Sequence, residues 1–409
     1  MMRSMFAGVS GLRNHQIRMD VIGNNIANVN TVGYKTSRAT FQDALSQSLK
    51  GATAPQNNRG GINPQQVGLG VTLSSIDVIH TAGNLQTTGV NTDLALQGNG
   101  FFIVGEGAQN YYTRAGNFSM DTSGRLVYSN GLQLQGWMAD ATGNINTNGQ
   151  IAGIRLPINS TIDPKATEEL TLAGNLNSSA EDGANFTRNV QVYDSLGNSH
   201  VLEIEFKKTG NNAWTYTITP DTGSTIAGDT GNITFDPANG HLSTGGPTFN
   251  ITYNPVGGAA AGQDIEINIE ALTQQQASES SIGYEQNGYP MGYLQSFKID
   301  SAGKIIGVFT NGLTEDIAQV AVATFSNAGG LEKMGETMFR ESSNSGSAQI
   351  NPSGVGGSGK ITPGTLEMSN VDLSQEFTDM IVTQRGFQAN SRIITTSDEM
   401  LQELVNLKR

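Results

Sequence analysis

The 409-residue chain contains no cysteine. That excludes disulfides, thiolate nucleophiles and cysteine-based zinc sites, and it suits a protein exported before it folds. Charged side chains are scarce, at 14% of residues, and the net charge is −13. Phosphate backbones and anionic lipid surfaces require clustered Lys and Arg, so neither nucleic acid nor a membrane surface is an expected partner. No stretch approaches the ~18 uninterrupted apolar residues of a membrane-spanning helix, so no membrane insertion is expected. Histidine is limited to His15, His80, His200 and His241, none at ligand spacing from another. No metal and no cofactor is expected. Residues 1–30 spread Arg3, Arg13, Arg18 and Asp20 through their apolar positions. A secretory signal has a charged start, an apolar block and a small-residue cleavage site instead, so export without a cleaved signal peptide is the expectation.

What is present divides sharply between the ends and the middle. Near the C-terminus Leu373, Met380, Phe387, Ile394 and Leu401 recur every seven residues. Phe377, Ile381 and Val405 widen the stripe, and Gln384, Ser391 and Asp398 interrupt it. A seven-residue repeat held this long predicts a coiled-coil seam. Asp372 followed by Gln375 predicts an N-cap with a capping-box partner. At the other end Met5, Val9, Leu12, Met19, Ile22 and Ile26 follow a three-four spacing, with Gln16 in one seam position. Ala7, Gly8 and Gly11 are small enough for another backbone to approach, and His15 falls on or beside the seam. A terminal helix with an apolar stripe needs a partner. The other terminus and the same helices of neighbouring copies are the candidates; cover for the β-core of a monomer is the alternative.

Between the ends the apolar period changes to two. Leu202, Ile204 and Phe206 alternate with polar residues, as do Trp214, Tyr216 and Ile218, and Ile265, Ile267 and Ile269. Strands with one buried and one wet face follow. Val320–Phe325 is a further strand run. Asn130-Gly131, between Leu126/Tyr128 and Leu132/Leu134, predicts a type I′ hairpin. The expected fold is mainly β with α-helical termini. Residues 1–27 and 371–409 form the terminal coiled-coil helices, and 28–70 and 351–370 extended linkers. Residues 71–145 and 286–350 form a discontinuous inner β-domain, with 146–285 inserted as an outer β-domain.

Several motifs fail on context. Gly354, Gly356, Gly359 and Lys360 match the spacing of phosphate-binding loops, but no buried strand precedes them and Pro363-Gly364 follows. Such loops need a helix N-terminus facing the phosphate, so 354–360 reads as a flexible linker. No Gly-x-Ser-x-Gly elbow occurs. Glu168-Glu169 reads as solvated surface, and the Asn-x-Ser/Thr triplets at Asn159 and Asn232 as chance in so polar a chain. No catalytic constellation survives, and the chain is not expected to be an enzyme.

The ends carry longer motifs. Asn24-Asn25-Ile26-Ala27-Asn28-Val29-Asn30-Thr31-Val32-Gly33-Tyr34-Lys35 resembles the N-terminal signature of bacterial flagellar rod and hook proteins. Gln384-Arg385-Gly386-Phe387-Gln388-Ala389-Asn390-Ser391-Arg392 resembles their C-terminal signature. Gly98–Phe102 and Tyr112–Phe118 resemble the inner β-domain of both kinds, and Leu172–Leu176 and Val192–Asn198 the outer domain of the hook members. The resemblance implies a structural subunit that polymerises into a curved hollow tube, a universal joint carrying torque from rod to filament. It implies as partners further copies of the chain, the distal rod protein, the hook cap, the hook–filament junction proteins and the flagellar export apparatus. Read physically, Gly33 permits a sharp turn after the first helix, and Asn24, Asn25, Asn28 and Asn30 satisfy loose backbone groups there. Arg385 and Arg392 share one side of the last helix, either a solvated face or, in a packed tube, one that bonds neighbouring copies or lines a wet channel. A stiffer distal rod component is the nearest rival. A β-rich extracellular adhesin is another, although Trp137 and Trp214 are the only tryptophans and both fall in strand patterns.

Overall fold

The computed structural model describes residues 2–55, 60–107, 109–140, 143–158, 161–244, 246 and 248–406. Asn159 lies outside them. The chain divides into two compact units, one of residues 1–156, 297–307 and 315–409, the other of 157–296 and 308–314. Among the described residues no helix is long and apolar enough to cross a membrane.

The first unit holds both terminal helices, α1 (Met2–Ala27) and α2 (Leu373–Asn406). Asp372 caps α2, its Oδ1 accepting the amides of Ser374 at 2.9 Å and Gln375 at 3.3 Å. The capping box is only half made, because the Gln375 amide turns forward to Asp379 at 3.3 Å. After α1 the chain turns at Gly33, whose φ is +68°. A Cβ there would stand 2.4 Å from the Ala115 nitrogen, so both conformation and space require glycine.

The expected linker over 28–70 is instead largely paired. Strand β1 (Ser37–Asp43) runs antiparallel to β4 (Val71–Val78), and β2 (Ser46–Lys50) to β3 (Gln65–Gly68). Sparse apolar content concealed this, since the strands are held by backbone ladders and lie mostly exposed. The ladder also takes Val71–Val78 away from the β-domain to which they were assigned. The remaining sheet places Phe101–Glu106 between Gln109–Thr113 and Gln133–Met138. The Val320–Ala323 run pairs with both Gln133–Met138 and Phe101–Glu106 and is wholly buried. Phe101, Ile103, Tyr112, Trp137, Ala321, Ala323 and Phe339 share a core. Phe101 meets Phe325 and Phe339 edge-on.

Two turns in this unit depart from expectation. At Asn130-Gly131 only Gly131 has positive φ, and the Gly131 amide bonds Tyr128 O at 2.8 Å. This is a type I turn followed by a left-handed glycine. Asn130 stays right-handed because its side chain is engaged, accepting from the Leu132 amide and donating to Glu336 at 3.0 Å. The two-residue turn with both φ positive occurs at Glu336 and Thr337, +50° and +58°. A β-branched residue there is strained. Tyr128 holds it, its hydroxyl 2.8 Å from Thr337 Oγ1, and Thr113 Oγ1 donates to Thr337 O at 3.0 Å.

Segment 353–361 is likewise not a free linker. Ser353 Oγ donates to Ser301 O, the Gly359 amide bonds Asn99 O at 2.6 Å, and Lys360–Pro363 pairs with Leu94–Gln97. A strand, not a helix, follows the glycines.

The second unit is built from two sheets. Asn185–Tyr193, Ser199–Gly210, Ala213–Thr219, Thr230–Phe235 and Leu242–Thr244 form an antiparallel meander. In the other sheet Glu169–Asn177 pairs parallel with Gln263–Asn268 and Leu272–Gln275, and antiparallel with Ser281–Gln286. Thr248–Asn254 joins Gln263–Asn268. All nine alternating apolar residues named above are buried and share one core. Trp214 Nε1 donates to Gln274 Oε1 at 3.2 Å. Segment 157–296 carries sixteen acidic residues against four basic, so a net −12 of the chain's −13 resides in this unit.

Candidate assembly surface of the terminal helices

The helices α1 and α2 lie antiparallel. Gly8 faces Ile394, Gly11 faces Asn390, His15 faces Gly386, and Arg18 bonds Asp379 at 3.1 Å. Gly8 therefore admits the backbone of α2 from the same chain, at Asn390 O, and Gly11 its Asn390 side chain. Burial and then Arg18 lower the pKa of His15.

The facing stripe of α2 is mixed. Met380, Phe387, Ile394 and Leu401 are half-buried, alternating with buried Thr383 and Ser397 and half-buried Asn390. Met5, Leu12, Met19 and Ile26 are half-buried on α1, while Ile22 is 4% exposed and already sealed within the chain. Leu373 belongs to the seven-residue series, yet it is exposed at the first turn of the helix. Phe377 is 50% exposed and Val9 47%. Met2, Phe6, Ile381, Val382, Ile393, Met400 and Val405 are exposed as well. The antiparallel pair thus covers only part of the apolar surface its sequence provides.

The signatures divide by role. Asn25 is buried; its Nδ2 donates to Ser37 O at 2.8 Å and Glu376 Oε1 at 2.9 Å, and its Oδ1 accepts the Ser37 amide. Tyr34 donates its hydroxyl to Asn24 at 2.8 Å, and Asn28 caps Asn24 O at 2.9 Å. Thr31 bonds Asn28, and Ala27 is exposed. These residues fix the exit from α1. In the second signature Gln384, Arg385, Gln388 and Ala389 are exposed, as is Arg392, whereas Phe387 is half-buried and Gly386 and Asn390 face α1.

Lys35 marks a feature that residue patterns did not reveal. Its Nζ lies 2.6 Å from Glu367 Oε1, and Arg114 Nη1 lies 3.3 Å from Glu367 Oε2, all three side chains buried. Lys35 also donates to Thr81 O at 2.6 Å, and Arg114 to Leu96 O and Gly98 O. Burial lowers the pKa of Lys35 and of Arg114, with Glu367 opposing it in each. The triad ties the signature segment just before β1, the turn after Gln109–Thr113 and the approach to α2 at one point. Sequence carried Lys35 and Arg114 inside the quoted motifs, but nothing local marks Glu367 as their partner. Asn14 was also missed; it is buried and donates to Val71 O at 2.7 Å, seating β4 on α1.

Four family models match the chain. "Flagella basal body rod protein" covers residues 5–35, "Flagellar hook protein FlgE/F/G D1 domain" 95–175, "Flagellar basal body protein FlaE D2 domain" 157–289, and "Flagellar basal body rod FlgEFG protein C-terminal" 362–407. The flagellar hook protein FlgE of Treponema pallidum is 44% identical over 464 residues, with 100% of both chains covered. That of Borreliella burgdorferi is 45% identical over 447 residues, again with 100% of both covered. The crystal structure of Helicobacter pylori flagellar hook protein FlgE2 matches with a TM-score of 0.52 at 15% identity, covering 69% of this chain and 100% of that one, a likeness of fold. Matching at both ends and through the interior, the chain belongs to the flagellar hook protein family and is a structural subunit of the hook.

Proposed function

We propose that α1 and α2 line the inner wall of a hollow, curved homopolymer. The supporting observation is the apolar surface that the antiparallel pair leaves uncovered, above all Met2, Phe6 and Val9 on α1 and Leu373, Phe377, Ile381 and Val382 on α2. Each large apolar side chain that a neighbouring copy covers contributes roughly 1.5–3 kcal/mol. Head-to-tail contacts that do not close a ring produce an open helix of subunits. Bending requires contacts to lengthen and shorten on each turn. The polar, Gly- and Asn-rich β-surfaces exchange weak contacts at low cost, so the tube acts as a universal joint. The reading places the polymer outside the cell, between a distal rod protein and the hook–filament junction proteins. A hook cap stands at its growing end, and subunits arrive through the flagellar export apparatus without a cleaved signal. It assigns no catalytic step and no cofactor.

Electron microscopy of the full-length chain under salting-out conditions tests this. Curved tubes are expected, and straight ones favour the rod reading. Phe377→Asp places a charge on an already exposed position, so the fold persists while tubes are lost. Normal tubes from that variant overturn the assignment of the inner wall.

A further inference from the structure

We propose that His200 is a protonated clamp between Asp194 and Asp221 at the edge of the core shared by the two sheets, and that its loss of a proton as the pH rises weakens the second unit. His200 stands near the start of Ser199–Gly210. Its Nε2 lies 2.9 Å from Asp194 Oδ2 and its Nδ1 lies 2.8 Å from Asp221 Oδ2. An ionised carboxylate only accepts, and a neutral imidazole has a single N–H. Both contacts together therefore require the imidazolium.

The proton resides on the ring because both carboxylates are held ionised. Asp194 Oδ1 accepts the amides of Leu196 and Asn198, each at 2.9 Å, and Asp194 Oδ2 accepts Asn198 Nδ2 at 3.0 Å. Asp221 Oδ1 accepts the Tyr253 hydroxyl at 2.9 Å. Burial alone raises the pKa of either aspartate, but the bonds from His200 and these neighbours more than offset it, and both are lowered. For His200 burial lowers the pKa, and the Asp221 and Asp194 bonds reverse the sign, leaving it raised above 6.5. The titratable groups facing the ring are Asp194, Asp221 and Tyr253, the last edge-on at 5.6 Å. Tyr253 stays a neutral donor, its pKa raised first by burial.

The cluster reaches the other sheet through the Tyr253 hydroxyl on Asp221. Asp194 lies in the turn joining the first two strands of the meander, Asp221 follows Ala213–Thr219, and Tyr253 belongs to Thr248–Asn254 of the other sheet. Asp194 is fully buried. When the ring loses its proton, one contact sets a lone pair against a carboxylate, and one anion loses its counter-ion. The net −12 of this unit adds to the retention of that proton.

The sign follows by linkage. A histidine whose pKa is raised on folding contributes stability that is complete below 6.5 and lost as pH rises through the folded value. The aspartates, lowered on folding, contribute stability that is lost as pH falls through theirs. The unit thus has a plateau with a falling limb on each side, and the limb at rising pH belongs to His200. This holds whether or not the chain polymerises.

Full-length chain labelled with 13C at the histidine rings gives the direct test. His200 is assigned by elimination from His15→Gln, His80→Gln and His241→Gln, so nothing depends on a His200 variant folding. The His200 resonance is expected to keep its cationic shift at pH values where an ordinary histidine is neutral; titration at or below 6.5 overturns the clamp. The second test is thermal unfolding of the Trp137→Phe chain, in which Trp214 alone reports on the second unit. Its midpoint is expected to fall by several degrees as the pH rises through the folded value, and His200→Gln to start lower and lose that limb. An undiminished limb at rising pH in His200→Gln overturns the proposal.

Discussion

A Cβ on Gly11 would lie 2.5 Å from the Asn390 side-chain nitrogen, so this glycine is what seats the Asn390 side chain against α1. Gly11→Leu drives the helices apart and costs about 1–3 kcal/mol through overpacking. Gly23, with nothing within 4 Å of its would-be Cβ, supplies the control. Gly23→Ala stabilises the helix by about 0.5–1 kcal/mol. Chemical denaturation followed by far-ultraviolet circular dichroism measures both, and equal effects at the two glycines would count against the packing.

The Lys35–Glu367–Arg114 triad predicts a sharp asymmetry among ion pairs. Glu367→Gln leaves two buried cations without an anion and costs about 3–5 kcal/mol. Asp379→Asn breaks a pair with Arg18 in which both side chains are about one-third exposed. It costs under about 1 kcal/mol. Urea denaturation of the Trp214→Phe chain, in which Trp137 alone reports from the same unit's core, distinguishes them.

His80 predicts an acid limb for the first unit. Neither ring nitrogen makes a well-formed hydrogen bond. Burial, then Lys35, Arg114 and Lys333, lower its pKa to about 4, with the Ala328 backbone opposing only in part. The unfolded chain therefore binds the proton more readily. Stability is complete above about 6.5 and is lost as pH falls toward about 4. Melts of the Trp214→Phe chain, detected by Trp137, show the loss between these values, and His80→Leu in that chain flattens that part of the profile. A wild-type profile that is flat there contradicts the reading.

The seam between α1 and α2 alternates apolar with small polar side chains, which limits the cohesion of the pair within one chain. Amide hydrogen exchange in the free chain is expected to be at least about tenfold faster in both helices than in Phe101–Glu106 and Gln133–Met138. Polymerisation is expected to close most of that gap. Helix amides in the free chain as slow as those strands would show that a single copy suffices.

What the sequence made legible was whatever repeats locally. The heptads from Leu373, the three-four spacing from Met5 and the alternation at Leu202–Phe206 each carry their period in adjacent residues, and each became the element expected. The pairing of β2 with β3 escaped because those strands are exposed and lack an apolar rhythm. The turn at Asn130-Gly131 was misread because its geometry depends on Glu336, some two hundred residues away, and Glu336-Thr337 took the conformation usually left to glycine. The match of Glu367 to Lys35 is a pairing of distant positions that no local pattern encodes.

That last pairing makes the first unit depend on both ends of the chain. Lys35 and Arg114 precede the second unit in sequence and Glu367 follows it. Truncation ahead of Glu367 therefore orphans two buried cations in the first unit, while the whole of the second, which ends at residue 314, is retained.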